Sequence, residues 1–203
     1  IGIKKSYPDR KINSLYFDNS NYDCVKDNIA GLSNRHKLRL RWYINDDLTK
    51  TELRFEIKFK DGRVGSKIIY PLNNIRDSLD KKNLMDLSTE VFQKLRNSYP
   101  VHNSLNDYLL PTLLTTYNRK YLKYSEDIRI TIDNDIKFYD VALQNLKIKS
   151  LKPLKYNLFI MEIKFTKNFK DNVSNLLRAL KLTPKRHSKY LTGMSKLGYA
   201  IYI

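Results

Sequence analysis

Arg35-His36-Lys37-Leu38-Arg39-Leu40-Arg41-Trp42-Tyr43 is the stretch whose reading decides the fold. Side chains of a strand alternate between its faces, so Arg35, Lys37, Arg39 and Arg41 share one side. His36, Leu38, Leu40 and Trp42 share the other. Alternate residues lie about 7 Å apart, where two like charges at an effective dielectric of about 20 repel by roughly 2 kcal/mol, less in salt. An open, solvated edge tolerates such a row. Inside a fold, it makes sense only with something strongly negative in front of it.

The segments around it repeat the pattern. Residues 12–18 read as a strand, and Ser20 or Asn21 is expected to cap a short helix or turn ending at Gly31. Asn45-Asp46-Asp47 is expected to turn the chain into a strand over 52–60. There Arg54, Glu56, Lys58 and Lys60 oppose Leu53, Phe55, Ile57 and Phe59. Asp61-Gly62 makes a hairpin into 63–70, which carries Lys67. From about Asn74 to Ser98 the apolar period moves toward 3.6, as one or two amphipathic helices require.

Beyond Pro100 and Pro111 strand spacing resumes. Thr115, Tyr117, Arg119 and Tyr121 share a face of 113–122. Arg129, Thr131 and Asp133 oppose Ile128, Ile130 and Ile132, and Glu162 and Lys164 oppose Phe159, Met161, Ile163 and Phe165. Phe169, Val173, Leu176, Leu177 and Leu180 make a helical stripe. After Pro184 a second helix carries His187, Tyr190, Leu191 and Met194, and Tyr199–Ile203 is expected to be a short last strand.

Composition narrows the partners. The chain has 203 residues, 41% hydrophobic, enough for a core, and without a repeat or low-complexity tract it reads as a single domain over 1–203. Thirty-eight Lys and Arg against 21 Asp and Glu give +17, which points to a polyanion. Cys24 is alone, so no internal disulfide forms. No apolar run reaches the ~18–20 residues of a membrane-spanning helix. His36, His102 and His187 are not spaced as a zinc site.

Two architectures accommodate strands with one charged and one apolar face. In a sandwich the charged faces meet water. In a closed antiparallel barrel they line a lumen, while helices wrap the apolar exterior. The charged faces are rich in Arg and carry lone carboxylates at Glu56, Asp133 and Glu162, which favours the barrel.

The order of these segments resembles the VTC domain of the triphosphate tunnel metalloenzyme (CYTH-like) superfamily, a polyphosphate-polymerase module. The matching pieces are Ser14-Leu15-Tyr16-Phe17-Asp18, the Arg35 to Tyr43 strand, Glu56-Ile57-Lys58, Lys67 and Tyr117-Asn118-Arg119 with Tyr121. Arg129 to Asp133, Glu162-Ile163-Lys164 and Ser188-Lys189-Tyr190 complete the series. The resemblance implies an α+β fold, an antiparallel β-barrel or triphosphate tunnel with a charged lumen, wrapped by helices. It implies Arg39, Arg41, Lys58, Arg119 and Lys189 as catalytic cations. Lys37, Lys60, Lys67, Tyr117, Arg129, Lys164 and Ser188 become substrate-binding residues, and Glu162 a ligand of Mn²⁺ or Mg²⁺. Arg35 and Lys37 are expected toward the mouth. The superfamily's opening strand, with its Glu-x-Lys type motif, is expected to be absent, since Lys4 and Lys5 lie outside any such pattern.

The implied reaction moves the γ-phosphate of ATP onto a growing polyphosphate chain. A triphosphatase of the same fold, or a non-catalytic polyphosphate or inositol-phosphate binder, uses the same wall. Nucleic acid is not the expected partner, because the tyrosines are not grouped with cations along the chain as base stacking needs. The expected location is cytoplasmic, with room for a membrane partner.

Overall fold

In the computed structural model, which describes residues 2–44, 53–62, 64–72, 75, 78–100, 105, 108–142 and 147–201, the alternating segments pair into one antiparallel sheet. Its strands are β1 (Lys4–Asp18), β2 (Asn34–Ile44), β3 (Leu53–Asp61), β4 (Val64–Pro71), β5 (Leu110–Lys123), β6 (Ile128–Asp140), β7 (Pro153–Tyr156) and β8 (Ile160–Phe165). The order is β4-β3-β2-β1-β5-β6-β7, with β8 also on β6. The helices are α1 (Asp23–Ala30), α2 (Ser78–Lys81), α3 (Leu84–Ser98), α4 (Lys170–Ala179) and α5 (Lys189–Lys196).

Register keeps the two faces apart. Arg39 lies opposite Tyr16 on β1 and Glu56 on β3, and Arg41 lies opposite Ser14 and Arg54. Lys58 faces both Lys37 and Lys67. A one-residue slip would drive the cations into the apolar layer, so the pattern itself pins the pairing.

That apolar layer is covered by α3. Asn83 starts the helix by accepting from the Asp86 amide at 2.8 Å, and Leu84, Leu87, Val91, Phe92 and Leu95 are buried along one face. They pack on Leu15, Phe17, Leu38, Leu40, Phe55 and Ile57, with Phe92 edge-on to Phe17 at 5.2 Å. A second cluster forms on the polar face, where Tyr190, Leu191 and Met194 of α5 meet Ile12, Tyr16, Leu113, Tyr117 and Phe138.

The fold corrects several expectations. The closed barrel is not met: β4 pairs only with β3, and β7 and β8 pair only with β6 among the described residues. The far side of β6 is divided between a four-residue and a six-residue strand, leaving no continuous edge to meet the eight residues of β4. The helices wrap the apolar exterior only in part. Among the described residues α3 covers the apolar face together with Leu79 of α2, α5 sits on the polar face, and of the α4 stripe only Val173 is buried. The first strand begins at Lys4 rather than Ile12. Tyr22, not Ser20 or Asn21, occupies the α1 N-cap without a capping side chain. Asp18 replaces that cap from a distance, accepting the Cys24 and Val25 amides at 3.0 and 3.1 Å. Residues 199–201 form no strand. The Asn45-Asp46-Asp47 turn, Glu52, His102 and residues 202–203 lie outside the described residues.

Candidate functional site

Glu56 organises one half of the polar face. Its carboxylate, 1% exposed, accepts from Arg39 Nε and Nη2 at 2.8 and 2.6 Å. Arg41, Arg54 and Lys67 approach it at 3.8, 3.6 and 4.0 Å. Asp133 organises the other half, accepting from Arg119 Nε and Nη2 at 2.6 and 2.8 Å and from Lys189 at 2.5 Å. Between them Arg41 donates to Ser14 Oγ at 3.3 Å and to Tyr117 Oη at 3.2 Å. Arg119 and Lys189 lie over the Tyr117 ring, 5.3 and 4.7 Å from its centre. Tyr117 is therefore a shared floor for both halves.

The sheet curls about this floor into a trough. Lys37 on β2 donates to Ser188 Oγ at 2.8 Å, while the adjacent Lys189 reaches Asp133 on β6, although β1 and β5 separate those strands. Ser188 also accepts the Leu191 amide as N-cap of α5, so the helix start is tied to both walls. Lys58 on β3 feels the charges of Glu162 and Lys164 on β8 across the opening.

The site residues expected from sequence thus fall into three sets. Arg39, Arg41, Arg119, Lys189, Lys67 and Tyr117 join the two carboxylate-centred networks, and Lys37 and Ser188 join each other at the α5 start. Lys58, Glu162, Lys164 and Arg129 occupy exposed parts of the walls, with Lys164 and Arg129 opposite one another. Lys60 stands apart near the end of β3, opposite Gly65. Arg35 turns away to donate to the Leu32 carbonyl, whereas Lys37 is half-buried.

Electrostatics follow from this placement. Burial opposes the Glu56 carboxylate, but Arg39, Arg41 and Lys67 outweigh it and hold it below the usual carboxylate range. Asp133 is likewise opposed by burial and held low by Arg119 and Lys189. Burial would raise the Tyr16 phenol, yet Arg39, Arg41 and Lys189 bring it below its ordinary value. Lys37 has no carboxylate partner among the described residues; burial, then Lys58, Arg35 and Arg39, push its ammonium down to about 8. Burial pushes the Cys24 thiol up, far from a nucleophile's range. Burial and then Lys189 lower His187.

A divalent metal finds one suitable donor here. Glu56 and Asp133 already bind cations, and among the described residues no group of three His, Cys, Asp or Glu converges. Glu162 is half-exposed, 3.6 Å from Lys164. One carboxylate fits an ion that takes its other oxygens from phosphate and water.

Sequence reasoning left out Ser14, Tyr16, Arg10, Tyr43 and Tyr121 as site residues. Ser14 and Tyr16 were accessible, since both fall on the period-2 face of β1 that meets Arg41 and Arg39. Arg10 lies in the part of β1 before Ile12, where two register shifts break the alternation that marks a strand.

The VTC domain family matches residues 3–198. Vacuolar transporter chaperone complex subunit 2 of Saccharomyces cerevisiae is 25% identical over 242 residues, an alignment taking in 92% of this chain. The chain spans 28% of that relative's length. The PH1819 protein of Pyrococcus horikoshii shares the fold, with a TM-score of 0.52 at 14% identity over 96% of this chain and 85% of that one.

Proposed function

The chain belongs to the VTC domain family, and from that premise we propose that it binds inorganic polyphosphate in the trough and extends it from ATP. The observation that carries this reading is the cationic lining organised by Glu56 and Asp133. It offers planar, forked Arg donors at Arg39, Arg41 and Arg119 and point charges at Lys37, Lys58, Lys67 and Lys189. Phosphate oxygens suit both kinds of donor.

In the proposed reaction a terminal oxygen of the polyphosphate chain attacks the γ-phosphorus of ATP. The new P–O bond forms as the bond from γ-phosphorus to the β,γ-bridging oxygen breaks, and ADP leaves with that oxygen. Such a transfer depends on alignment and neutralisation more than on covalent help. Arg39 and Arg41 hold one side of the phosphate row, and Arg119 and Lys189 the other. Tyr117 Oη and Ser188 Oγ contribute hydrogen bonds at the floor and the α5 start. Glu162, with Lys164 and Arg129 near it, would hold Mn²⁺ or Mg²⁺, which supplies charge neutralisation at phosphate oxygens. Lys60, at the end of β3, draws polyanions inward. By analogy with the yeast relative, named as a complex subunit, the chain works within a larger assembly. No helix among the described residues is long and apolar enough to cross a membrane.

A second reading, polyphosphate binding without turnover, is favoured by one observation: among the described residues no group of three His, Cys, Asp or Glu converges to hold a metal. Incubation with ATP and Mn²⁺, followed by gel analysis of polyphosphate, decides between them. Synthesis is expected, falling at least a hundredfold in Arg39→Ala, the scale of losing one well-placed charge donor. Binding of polyphosphate without any synthesis would establish the second reading. Release of free phosphate alone would assign a triphosphatase.

A further inference from the structure

The trough's polar face ends, along the strands, in a group of aromatic rings that the phosphate chemistry does not use. Arg10 lies between two tyrosines, 5.4 Å from the Tyr43 ring centre and 5.9 Å from that of Tyr121. Arg54 covers Tyr43 at 4.9 Å, and Tyr7 meets Tyr121 edge-on at 5.9 Å with an interplanar angle of 82°. Tyr7 is 59% exposed. Its ring is thus held perpendicular to that of Tyr121 while more than half of the residue is open to solvent.

The backbone is shaped to present it. β1 shifts register against β5 between Lys5 and Tyr7 and again between Tyr7 and Arg10, so Tyr7 sits between two irregularities. Bulges of this kind re-aim side chains beside sites. Pro8, which has no amide hydrogen, lies within this irregular stretch, beyond the Lys11–Ile44 pair where the described β2 pairing ends. Arg10 forms no ion pair among the described residues, so its guanidinium is held by π-faces rather than by a carboxylate. Arg10 lies opposite Arg119, which places the ring group directly beside the Asp133 half of the trough.

We propose that Tyr7, with Arg10 behind it, is a stacking platform for the base of a nucleoside triphosphate whose phosphates lie in the trough. This rests on the reading of the trough as a triphosphate and polyphosphate site. It gives the site a direction. The nucleotide approaches past Tyr7, Tyr121 and Tyr43, at the C-terminal end of β2. Lys37 and Lys58 lie toward the opposite end of β2 and suit a chain that is phosphate alone.

The test compares two ligands by calorimetry, ATP and inorganic tripolyphosphate, which share the phosphate row and differ in the base. Wild type is expected to gain affinity from the base. Tyr7→Ala should weaken ATP about tenfold, the size of one base–aromatic stack, and leave tripolyphosphate binding in place, which also reports that the variant is folded. Tyr7→Phe, keeping the ring, should retain ATP affinity, and Arg10→Gln should lose part of it. Equal loss of both ligands in Tyr7→Ala, or no loss of either, overturns the platform while leaving the trough intact. Failure of wild type to bind tripolyphosphate or polyphosphate overturns the trough reading and the platform with it. A short single-stranded oligonucleotide that binds more tightly than ATP, and loses that affinity in Tyr7→Ala, assigns the rings to nucleic acid and overturns the nucleotide assignment.

Discussion

At the scale of single residues, Lys37 is the cation whose charge is least secured. It is half-buried, surrounded by Arg35, Arg39 and Lys58, and bonded only to the Ser188 hydroxyl among the described residues. Its ammonium loses its proton at about 8 in the folded chain against 10.5 for an ordinary lysine. Unfolding therefore takes up a proton between those values, and the resulting penalty on the fold is fully present below about pH 8 and gone above the ordinary value. Anion binding runs the other way, since a phosphate chain favours the charged form. Tripolyphosphate affinity measured by calorimetry from pH 7 to 9 should fall by up to roughly tenfold in wild type relative to Lys37→Arg, whose charge persists. Parallel profiles for the two proteins would remove Lys37 from the site. The cationic face on which Lys37, Arg39 and Arg41 lie was legible, because period 2 in a strand leaves no other arrangement. The carboxylate centres were visible only as lone acids. Their partners come from other strands, so nothing local in sequence pairs Glu56 with Lys67 or Asp133 with Lys189.

At the scale of elements, α5 is the piece that gives the trough its shape. It docks through Gly193, where an added Cβ would stand 2.5 Å from Leu113 Cδ2 and 2.8 Å from Phe138 Cδ1. Both neighbours are fully buried, so neither side chain has room to retreat. Gly193→Ala is expected to destabilise the fold by about 1–3 kcal/mol and to weaken tripolyphosphate binding, because Ser188 and Lys189 shift with the helix. A thermal melt paired with a titration checks both effects; a lowered melting temperature with unchanged affinity would show that the helix start is positioned independently of its docking. The two hairpin strands β3 and β4 were predictable from Asp61-Gly62, and Gly62 takes a φ of 53° as that turn requires. The start of β1 was not, since Ser6-Tyr7-Pro8-Asp9 carries a proline and two register shifts that break strict alternation. The place of α5 was not legible either: its apolar stripe declares that one face is buried, without saying against which side of a sheet.

At the scale of the whole molecule, the net +17 already counts Glu56 and Asp133, and these two buried carboxylates serve as internal counter-ions for the cations that line the trough. A row of cations inside a fold needs negative charge in front of it, and the fold supplies part of that charge itself: Glu56 is shared by Arg39, Arg41, Arg54 and Lys67, and Asp133 by Arg119 and Lys189. A polyphosphate ligand then adds charge to a lining already held in place, rather than ordering loose side chains. Removing one centre separates these roles. Glu56→Gln leaves four neighbouring cations facing one another around a neutral amide, and loss of one partner in such a buried network costs about 3–5 kcal/mol. The variant should therefore melt well below wild type in the absence of ligand. Tripolyphosphate should close most of that gap, since an anion that binds only the folded chain stabilises it, and it does so more where repulsion is greater. Thermal melts of both proteins across a tripolyphosphate series give the comparison directly. The expected result is a larger ligand-induced shift in Glu56→Gln than in wild type; equal shifts would mean that the cations around Glu56 do not meet the phosphate chain, and would place the ligand on the Asp133 side alone.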